Sequence, residues 1–325
     1  MHAYMCKYLY AGLILSRRAP GGSAARSRRR VFPAGLGVAA LVAQDVFPLA
    51  AGGLGQPVRR RPVKPPVFDP GWPPLVQALH AHDVQEMWDP SIAPHVFNMY
   101  HDELRRHLRT AGRSPLRILD VGCAQGTLAL LLAEAGHHVV AADLRPEFLD
   151  YARTRYEKGD IRFVPGNALD LDLPGPFDLI FANQILEHLV HPVEMIRNLS
   201  RLLAPGGRFV ATTPNGLYLK SGLPLFRELG DLSAYEDRQF FPDGDGHFFA
   251  YSGTELREIC AEAGLVQVRV KPYASPWITG HMKFRRLHGK VPVAVLRILD
   301  QLLLAVPGVR TRLGYQWLAS GRKPA

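Results

Sequence analysis

Two hydrophobic patterns alternate along the chain from about residue 113. Short apolar runs of strand length are followed by segments in which apolar residues recur every three or four positions, as on one face of a helix. The runs that predict strands are "LRILDVG", "HHVVAADL", "IRFVPGN", "FDLIFAN" and "GRFVATTP", with helical segments at 126–136, 146–158 and 191–204. Because parallel strands are joined by crossover helices, this alternation predicts a parallel sheet covered by helices on both faces.

The chain after the fifth strand predicts a long insertion and two further strands. The segment 216–250 is too long for an ordinary connection and rich in aromatic residues, so we expect a cap insertion there. Ser252 and Glu255 have the spacing of a capping box, and Gly264 closes the helix that they begin. The strand "LVQVRVKPY", an apolar helix at 291–306 and a weak last strand, "GYQWLASGRK", complete the pattern. The predicted fold class is therefore α/β, with a doubly wound, mostly parallel, seven-stranded Rossmann-like sheet.

The amino-terminal 70 residues differ in composition from the rest of the chain. They include "SRRAPGGSAARSRRRVFPAG" and "GGLGQPVRRRPVKPP", which are rich in Arg, Gly, Pro and Ala and show no periodicity. Such a composition buries too little apolar area to offset chain entropy, so we expect residues 1–70 to be a disordered basic extension. The predicted domain at 71–325 comprises amino-terminal helices at 72–112, a cofactor-binding core at 113–215, the cap insertion at 216–250 and terminal helix and strand elements at 251–325.

Charge is distributed unevenly along the chain, and this narrows the choice of partners. The formal net charge is +10, but residues 1–70 hold 11 Lys and Arg against two acidic residues, and residues 271–325 hold ten against one. The part between them is acidic, so nucleic-acid binding by the core is disfavoured. We expect the basic amino terminus to be dispensable for activity, and a targeting role or a peripheral contact with an anionic membrane stays open. The three cysteines form no CxxC pair, which predicts a reducing compartment, the cytoplasm, and disfavours a disulfide framework or a zinc site.

The turn after the first strand, "DVGCAQG", is the strongest indication of a ligand site. Gly122 and Gly126 leave the backbone uncovered, and Asp143 ends the second strand, where a carboxylate can accept hydrogen bonds from two ribose hydroxyls. A dinucleotide fingerprint would require glycine at the position of Ala124. The carboxylate of Asp120 would repel a pyrophosphate but attract a cationic ligand. These residues favour S-adenosylmethionine over a dinucleotide.

With these motifs the chain resembles the class I S-adenosylmethionine-dependent methyltransferases, near their ubiquinone-biosynthesis and small-molecule branch. The resemblance covers about residues 95–275 and includes "VPGNALDLDLP", "FDLIFANQILEHLVHP" and "LLAPGGRFVATTPN". It implies that Asn167, which replaces the family's usual Asp, and the backbone of Ala168 meet the adenine. The cofactor-binding residues predicted from the turn and the resemblance are Asp120, Gly122, Cys123, Ala124, Gly126, Asp143, Leu144, Asn167, Ala168, Asn183 and Gln184.

The loop after the fourth strand indicates which classes of methyl acceptor are disfavoured. That loop reads "NQIL" and lacks the Asn/Asp-Pro-Pro-aromatic motif of the DNA and protein amide methyltransferases; no acidic partner lies next to Asn183, so we assign no metal. The favoured acceptor is a hydroxyl of a small molecule, in a phenolic ring, a quinol precursor or a sugar. His188 is the candidate general base, and His247 is the second catalytic candidate. A structural role for His188 in bracing the loop, and catalysis by alignment alone, stay open.

Two other function classes remain beside a small-molecule O-methyltransferase. One is an RNA or protein methyltransferase that uses its basic ends as a tether, and salt-sensitive binding to polyanions would support it. The other is a non-catalytic scaffold or binding protein with the same fold. The residues Asp120, Gly122, Gly126 and Asp143 disfavour the scaffold, because a scaffold requires none of them.

Overall fold

The computed structural model describes residues 63–89, 95, 106–108, 114–236 and 247–325. Several predicted features lie outside these ranges: the extension up to residue 62, most of the helical region between residues 90 and 113, and Phe240 and Phe241 of the cap insertion.

The core of the fold is a seven-stranded sheet, and it confirms the predicted α/β class. The strands are β1 (Arg117–Val121), β2 (His138–Asp143), β3 (Asp160–Pro165), β4 (Phe177–Asn183), β5 (Leu203–Pro214), β6 (Val266–Tyr273) and β7 (Gln316–Arg322). They are arranged in the order β3-β2-β1-β4-β5-β7-β6. The pairs among the first five strands are parallel, and β7 runs antiparallel to both β5 and β6.

Helices cover both faces of the sheet. They are α1 (Pro74–Asp83), α2 (Thr127–Glu134), α3 (Pro146–Thr154), α4 (Pro192–Leu202), α5 (Ser233–Glu236), α6 (Gly253–Glu262), α7 (Pro276–Thr279), α8 (Val293–Ala305) and α9 (Val309–Leu313). Successive strand residues point to opposite faces, so the sheet feeds two hydrophobic clusters. Ile118 and Leu179 pack with α2 and α3, whereas Leu119 and Ile180 pack with α4 and α6. In the described part of the chain, no helix is both long enough and apolar enough to cross a membrane.

The last predicted strand is an inner strand of the sheet. β7 lies between β5 and β6, and five of its seven residues are buried. An inner strand is paired on both edges, which explains why a stretch that looks weak in the sequence is firmly placed. The predicted capping box of α6 is also present, because Ser252 accepts the backbone N–H of Glu255 while the Glu255 carboxylate accepts that of Ser252.

The insertion after β5 is built around aromatic side chains that continue the main core. Phe226 lies 4.9 Å from Phe249 and 5.3 Å from Tyr251, measured between ring centroids. Phe248 and Phe249 are buried in the cluster that covers the α4 face of the sheet. These aromatic residues therefore form the core of the insertion and attach it to the domain.

A buried ion pair joins the amino-terminal helix α1 to the sheet domain. The guanidinium of Arg155, just after α3, lies 3.3 Å from the carboxylate of Asp83, and neither side chain is exposed to solvent. Arg155 also donates to the carbonyl oxygen of Gln125 and to Oγ1 of Thr127, while Tyr151 donates its hydroxyl to Asp83 at 2.8 Å. One buried cation thus connects α1, α3 and the turn that follows β1.

Packing on the domain begins before the predicted boundary at residue 71. Val63 is buried against Leu130 and Leu131 of α2. Trp72 contacts Tyr151 of α3, with ring centroids 5.3 Å apart. A shortened chain that preserves these contacts has to include residue 63; the division at 71 stays a prediction.

We expect Asp83→Asn to lower the free energy of unfolding by about 3 kcal/mol, because it leaves the buried Arg155 charge without its counter-ion. Asp150→Asn is the matched control. Asp150 pairs with Arg153 on the surface, and its side chain is 71% exposed, so the change should cost less than about 0.5 kcal/mol. Urea denaturation measures both variants. Equal effects would show that the buried pair contributes no more than the exposed one.

Candidate active site

The candidate site lies at the carboxyl ends of four neighbouring parallel strands. β1 is flanked by β2 on one side and by β4 on the other, and the chain order reverses between them. Such a switch in strand order opens a crevice at the carboxyl edge, where open α/β sheets bind their ligands. The residues predicted to bind a cofactor follow the ends of β1, β2, β3 and β4, so the fold brings them to this edge.

The turn after β1 requires a backbone conformation that favours glycine. Gly122 and Gly126 have φ angles of 64° and 72°. A Cβ atom at Gly122 would lie 2.6 Å from Cδ1 of Ile185, and one at Gly126 would lie 2.7 Å from Cβ of Ala152. Both the backbone angle and the close packing therefore select glycine at these two positions.

Ala124 occupies the same turn with a φ of 44°, although it carries a side chain. A left-handed conformation costs a non-glycine residue about 1 kcal/mol. Its methyl group is buried in a cluster with Val76 and Leu79 of α1 and with Phe148 of α3. Burial of a methyl group stabilises by about 0.8 kcal/mol, so contact with α1 offsets most of the strain.

Two buried carboxylates lie beneath this turn. Asp143 accepts the backbone N–H of Ala124 at 2.9 Å and that of Arg145 at 3.0 Å, and like Asp120 it is almost fully buried. Burial, with the charges of Asp143 and Asp120, raises the pKa of the Cys123 thiol well above its ordinary value. The thiol therefore stays protonated, which removes it as a nucleophile, and the local negative charge suits a cationic ligand.

The residues after β2 and β3 form the outer part of the crevice. Leu144 is 44% exposed at the end of β2. The side-chain oxygen of Asn167 accepts the backbone N–H of Leu169 at 3.0 Å, which fixes the turn around Ala168. An amide oxygen has two lone pairs, so Asn167 retains acceptor capacity toward a ligand.

The two polar residues at the end of β4 differ in what they contact. The Asn183 side-chain oxygen accepts a hydrogen bond from Thr212, whereas its buried amide nitrogen has no hydrogen-bond partner in the structure. Gln184, with a φ of 55°, binds Thr212 and Gln316 through its side chain. Asn183 therefore offers a donor to a ligand, while Gln184 connects β4 to β5 and β7.

The two candidate catalytic histidines lie together, although 58 residues separate them in the sequence. The ring centroids of His188 and His247 are 5.0 Å apart. Nε2 of His247 is 3.7 Å from Oε1 of Glu187, and Oε2 of Glu187 accepts the hydroxyl of Thr213 at 2.9 Å. Burial raises the pKa of Glu187 to about 7 and lowers that of His247 to about 3. We call Glu187, His188 and His247 the acid–base cluster.

The acid–base cluster also has the composition of a metal site. One ligand atom from each of its three side chains lies within 4.8 Å of the others. Two imidazoles and a carboxylate bind zinc in some catalytic sites. The sequence predicts no metal, because no acidic residue lies next to Asn183 and Glu187 stands there only as the neighbour of His188 in "LEHL". The sequence does not show that His247, near the end of the insertion, approaches Glu187 and His188. Asp243 and Asp245, which precede His247 in the insertion, lie outside the described residues.

Comparisons with known proteins agree with this geometry. The profile of a family described as a methyltransferase domain matches residues 81–270. The ubiquinone biosynthesis O-methyltransferase of Caulobacter sp. (strain K31) is 37% identical over 147 residues, which are 40% of this chain and 58% of that protein. The protein of the same name from Xanthomonas euvesicatoria pv. vesicatoria (strain 85-10) is 39% identical over 154 residues, or 46% and 62% of the two chains. The chain thus spans less than two thirds of the length of these relatives.

A solved structure extends the comparison to the fold. The phosphoethanolamine N-methyltransferase 2 of Haemonchus contortus, solved with phosphomonomethylethanolamine and S-adenosylhomocysteine, superimposes with a TM-score of 0.52 and 17% identity. The superposition covers 78% of this chain and 58% of that one. At this identity the likeness shows the fold alone. Together with the family match, it confirms the resemblance found in the sequence.

We expect Glu187→Gln to change how stability depends on pH. A carboxyl whose pKa rises from 4.5 to about 7 on folding contributes stability at low pH that is lost as the pH rises through about 7. The variant lacks this titration, so it should match the natural chain near pH 4 and exceed it by about 1–3 kcal/mol near pH 8. Thermal denaturation across this range, with the exposed Glu258→Gln as control, measures the difference. Parallel curves for Glu187→Gln and the natural chain would contradict the raised pKa.

Proposed function

Because the chain belongs to the methyltransferase domain family, we propose that it transfers the methyl group of S-adenosylmethionine to a hydroxyl of a small molecule. The observation that supports this most is the glycine turn at 122–126 with two buried carboxylates beneath it, at the point where the strand order reverses. A pyrophosphate would meet repulsion from Asp120, whereas a sulfonium with an α-ammonium group would be attracted. The charge of the site therefore favours S-adenosylmethionine over a dinucleotide.

Each cofactor residue has a role that its surroundings support. Asp143 would accept the ribose hydroxyls with the lone pairs that Ala124 and Arg145 leave unused. Asp120 would hold the α-ammonium group, and the unpartnered amide nitrogen of Asn183 would donate to the cofactor. The bound cofactor supplies an electrophilic methyl group, and the chain has to align an acceptor with it and remove the acceptor proton.

The acid–base cluster is suited to receive that proton. His188 follows β4, whose carboxyl end borders the glycine turn, and Glu187 and His247 lie within 4.8 Å of it. His247 is uncharged near neutral pH because burial lowers its pKa to about 3. With a pKa of about 7, Glu187 is partly ionised near neutral pH, and its ionised form would stabilise an imidazolium formed at His188. We therefore assign proton removal to His188, with Glu187 and His247 as positioning residues.

The favoured acceptor is a phenolic or quinol-type hydroxyl. The matched relatives are named ubiquinone biosynthesis O-methyltransferases, and this supports an O-methylation of that kind here. A sugar hydroxyl stays the second acceptor class. Neither alternative class, a tethered RNA or protein methyltransferase or a scaffold, gains support from the relatives. The free, buried thiols of Cys123 and Cys260 agree with a reducing compartment such as the cytoplasm.

The role of Asp143 is tested by calorimetric titration with S-adenosylmethionine. We expect Asp143→Ala to weaken binding ~10- to 100-fold, since charge-assisted hydrogen bonds contribute about 1.5–3 kcal/mol. Asp143→Asn keeps an oxygen that can accept the Ala124 N–H but loses the charge, and it should weaken binding as well. The exposed Asp172→Ala is the control and should bind normally. If Asp143→Asn binds as tightly as the natural chain, the carboxylate serves only to hold the turn.

The role of His188 is tested by turnover with a catechol-type acceptor. We expect His188→Asn to lower kcat by ~10²-fold, the usual scale for loss of a general base, with unchanged S-adenosylmethionine affinity. His191→Asn is the matched control, because this neighbouring histidine pairs with Glu236 at the surface. Normal turnover by His188→Asn would show that His188 is not the general base. A chelator added to the natural chain distinguishes proton removal by His188 from a reaction that needs a metal in the acid–base cluster, since only the metal-dependent reaction would stop.

A further inference from the structure

The helix α8 exposes an apolar face to solvent. The face comprises Ala294, Val295, Ile298, Leu302 and Ala305, which recur at helical spacing, and it continues through Val306 to Val309. The five larger members, Val295, Ile298, Leu302, Val306 and Val309, are between 37% and 57% exposed. We call these residues the outer face of α8. An exposed apolar surface of this continuity is typical of an interaction site.

α8 is apolar both on the side that faces the domain and on the side that faces solvent. Its two charged residues, Arg297 and Asp300, are turned away from the outer face. The Asp300 carboxylate accepts the backbone N–H of Ser275 at 2.7 Å, and burial raises the pKa of Asp300 and lowers that of Arg297. A surface helix normally directs its charges to solvent and its apolar stripe inward. Here Leu296 is fully buried on the side toward the domain, and a second apolar stripe, the outer face, remains exposed.

The chain segments that flank the outer face in the sequence are strongly basic. Residues 271–325 contain ten Lys and Arg, and their one acidic residue is the inward-facing Asp300. The exposed basic residues that flank α8 are Lys283, Arg285, Arg286 and Lys290 before it and Arg310 and Arg312 after it. Two copies of such a surface would repel each other, because both are basic. The basic residues 1–70 of the same chain would be repelled from this surface for the same reason. The complementary partner is an anionic surface.

We propose that the outer face of α8 docks the protein peripherally on a membrane rich in anionic phospholipids. The apolar side chains would enter the boundary between headgroups and acyl chains, while the flanking Lys and Arg meet the phosphates. A helix of 13 residues is ~20 Å long and fits within the plane of the interface. This contact is separate from the amino-terminal tether expected from the sequence, and α8 lies beyond the family match at 81–270.

Co-sedimentation of the full chain with vesicles tests the proposal. The vesicles contain either phosphatidylcholine alone or three parts phosphatidylcholine to one part phosphatidylglycerol. We expect the natural chain to sediment with the anionic vesicles and to remain in the supernatant when the vesicles are neutral. The double variant Ile298→Asp/Leu302→Asp should bind the anionic vesicles at least about 10-fold more weakly, because both residues lose apolar insertion. Val266→Asp changes a valine of similar exposure, 44%, on β6 and outside α8, and it should bind like the natural chain.

Each contrary outcome overturns a defined part of the proposal. Equal binding of the double variant and the natural chain would show that electrostatic attraction by the basic ends suffices without α8. Equal binding to neutral and anionic vesicles would overturn the requirement for negative charge. No binding to either vesicle, together with a dimer that the double variant converts to a monomer, would assign the outer face to a second copy. Titration with S-adenosylmethionine verifies that the double variant is folded and is independent of vesicle binding.

Discussion

The arrangement of the domain around its ligand edge depends on the burial of one cation, the guanidinium of Arg155. A charge without solvent exposure has to be neutralised, and here Asp83 is the counter-ion while the Gln125 carbonyl and the Thr127 hydroxyl accept hydrogen bonds from Nη1. These partners come from α1, from the glycine turn and from the start of α2. Satisfying Arg155 therefore fixes the turn against both helices, and the crevice takes its shape from the same contacts.

The turn illustrates how strain and packing balance in a binding site. Its glycines are required by backbone angle and by the close approach of Ile185 and Ala152. Ala124 tolerates a left-handed conformation because α1 covers its methyl group. The sequence shows the alanine as a departure from the glycine pattern, but the compensating contact comes from Val76 and Leu79, some 45 residues earlier. α1 thus stabilises a conformation that the turn alone would not favour.

Local patterns predicted most of the sheet, and long-range contacts account for what they missed. The five parallel strands and their helices follow from hydrophobic periodicity and crossover geometry. The position of β7 does not, because strand order depends on pairing partners far apart in the chain. The same holds for the acid–base cluster: "LEHL" shows Glu187 and His188 as neighbours, but only the fold adds His247 from the insertion and Thr213 from β5. The pair Asp83 and Arg155 has no local signal at all, since each side chain alone resembles a surface charge.

The inner position of β7 has a consequence for synthesis on the ribosome. Among the strands that the structure describes, β6 pairs with β7 alone, so it has no partner in this sheet until residues 316–322 have left the exit tunnel. The strands from β1 to β5 can pair earlier, as successive crossover units. During that interval the open edge of β5 is available to strands of other chains, so the nascent protein is most prone to aggregation just before β7 is inserted.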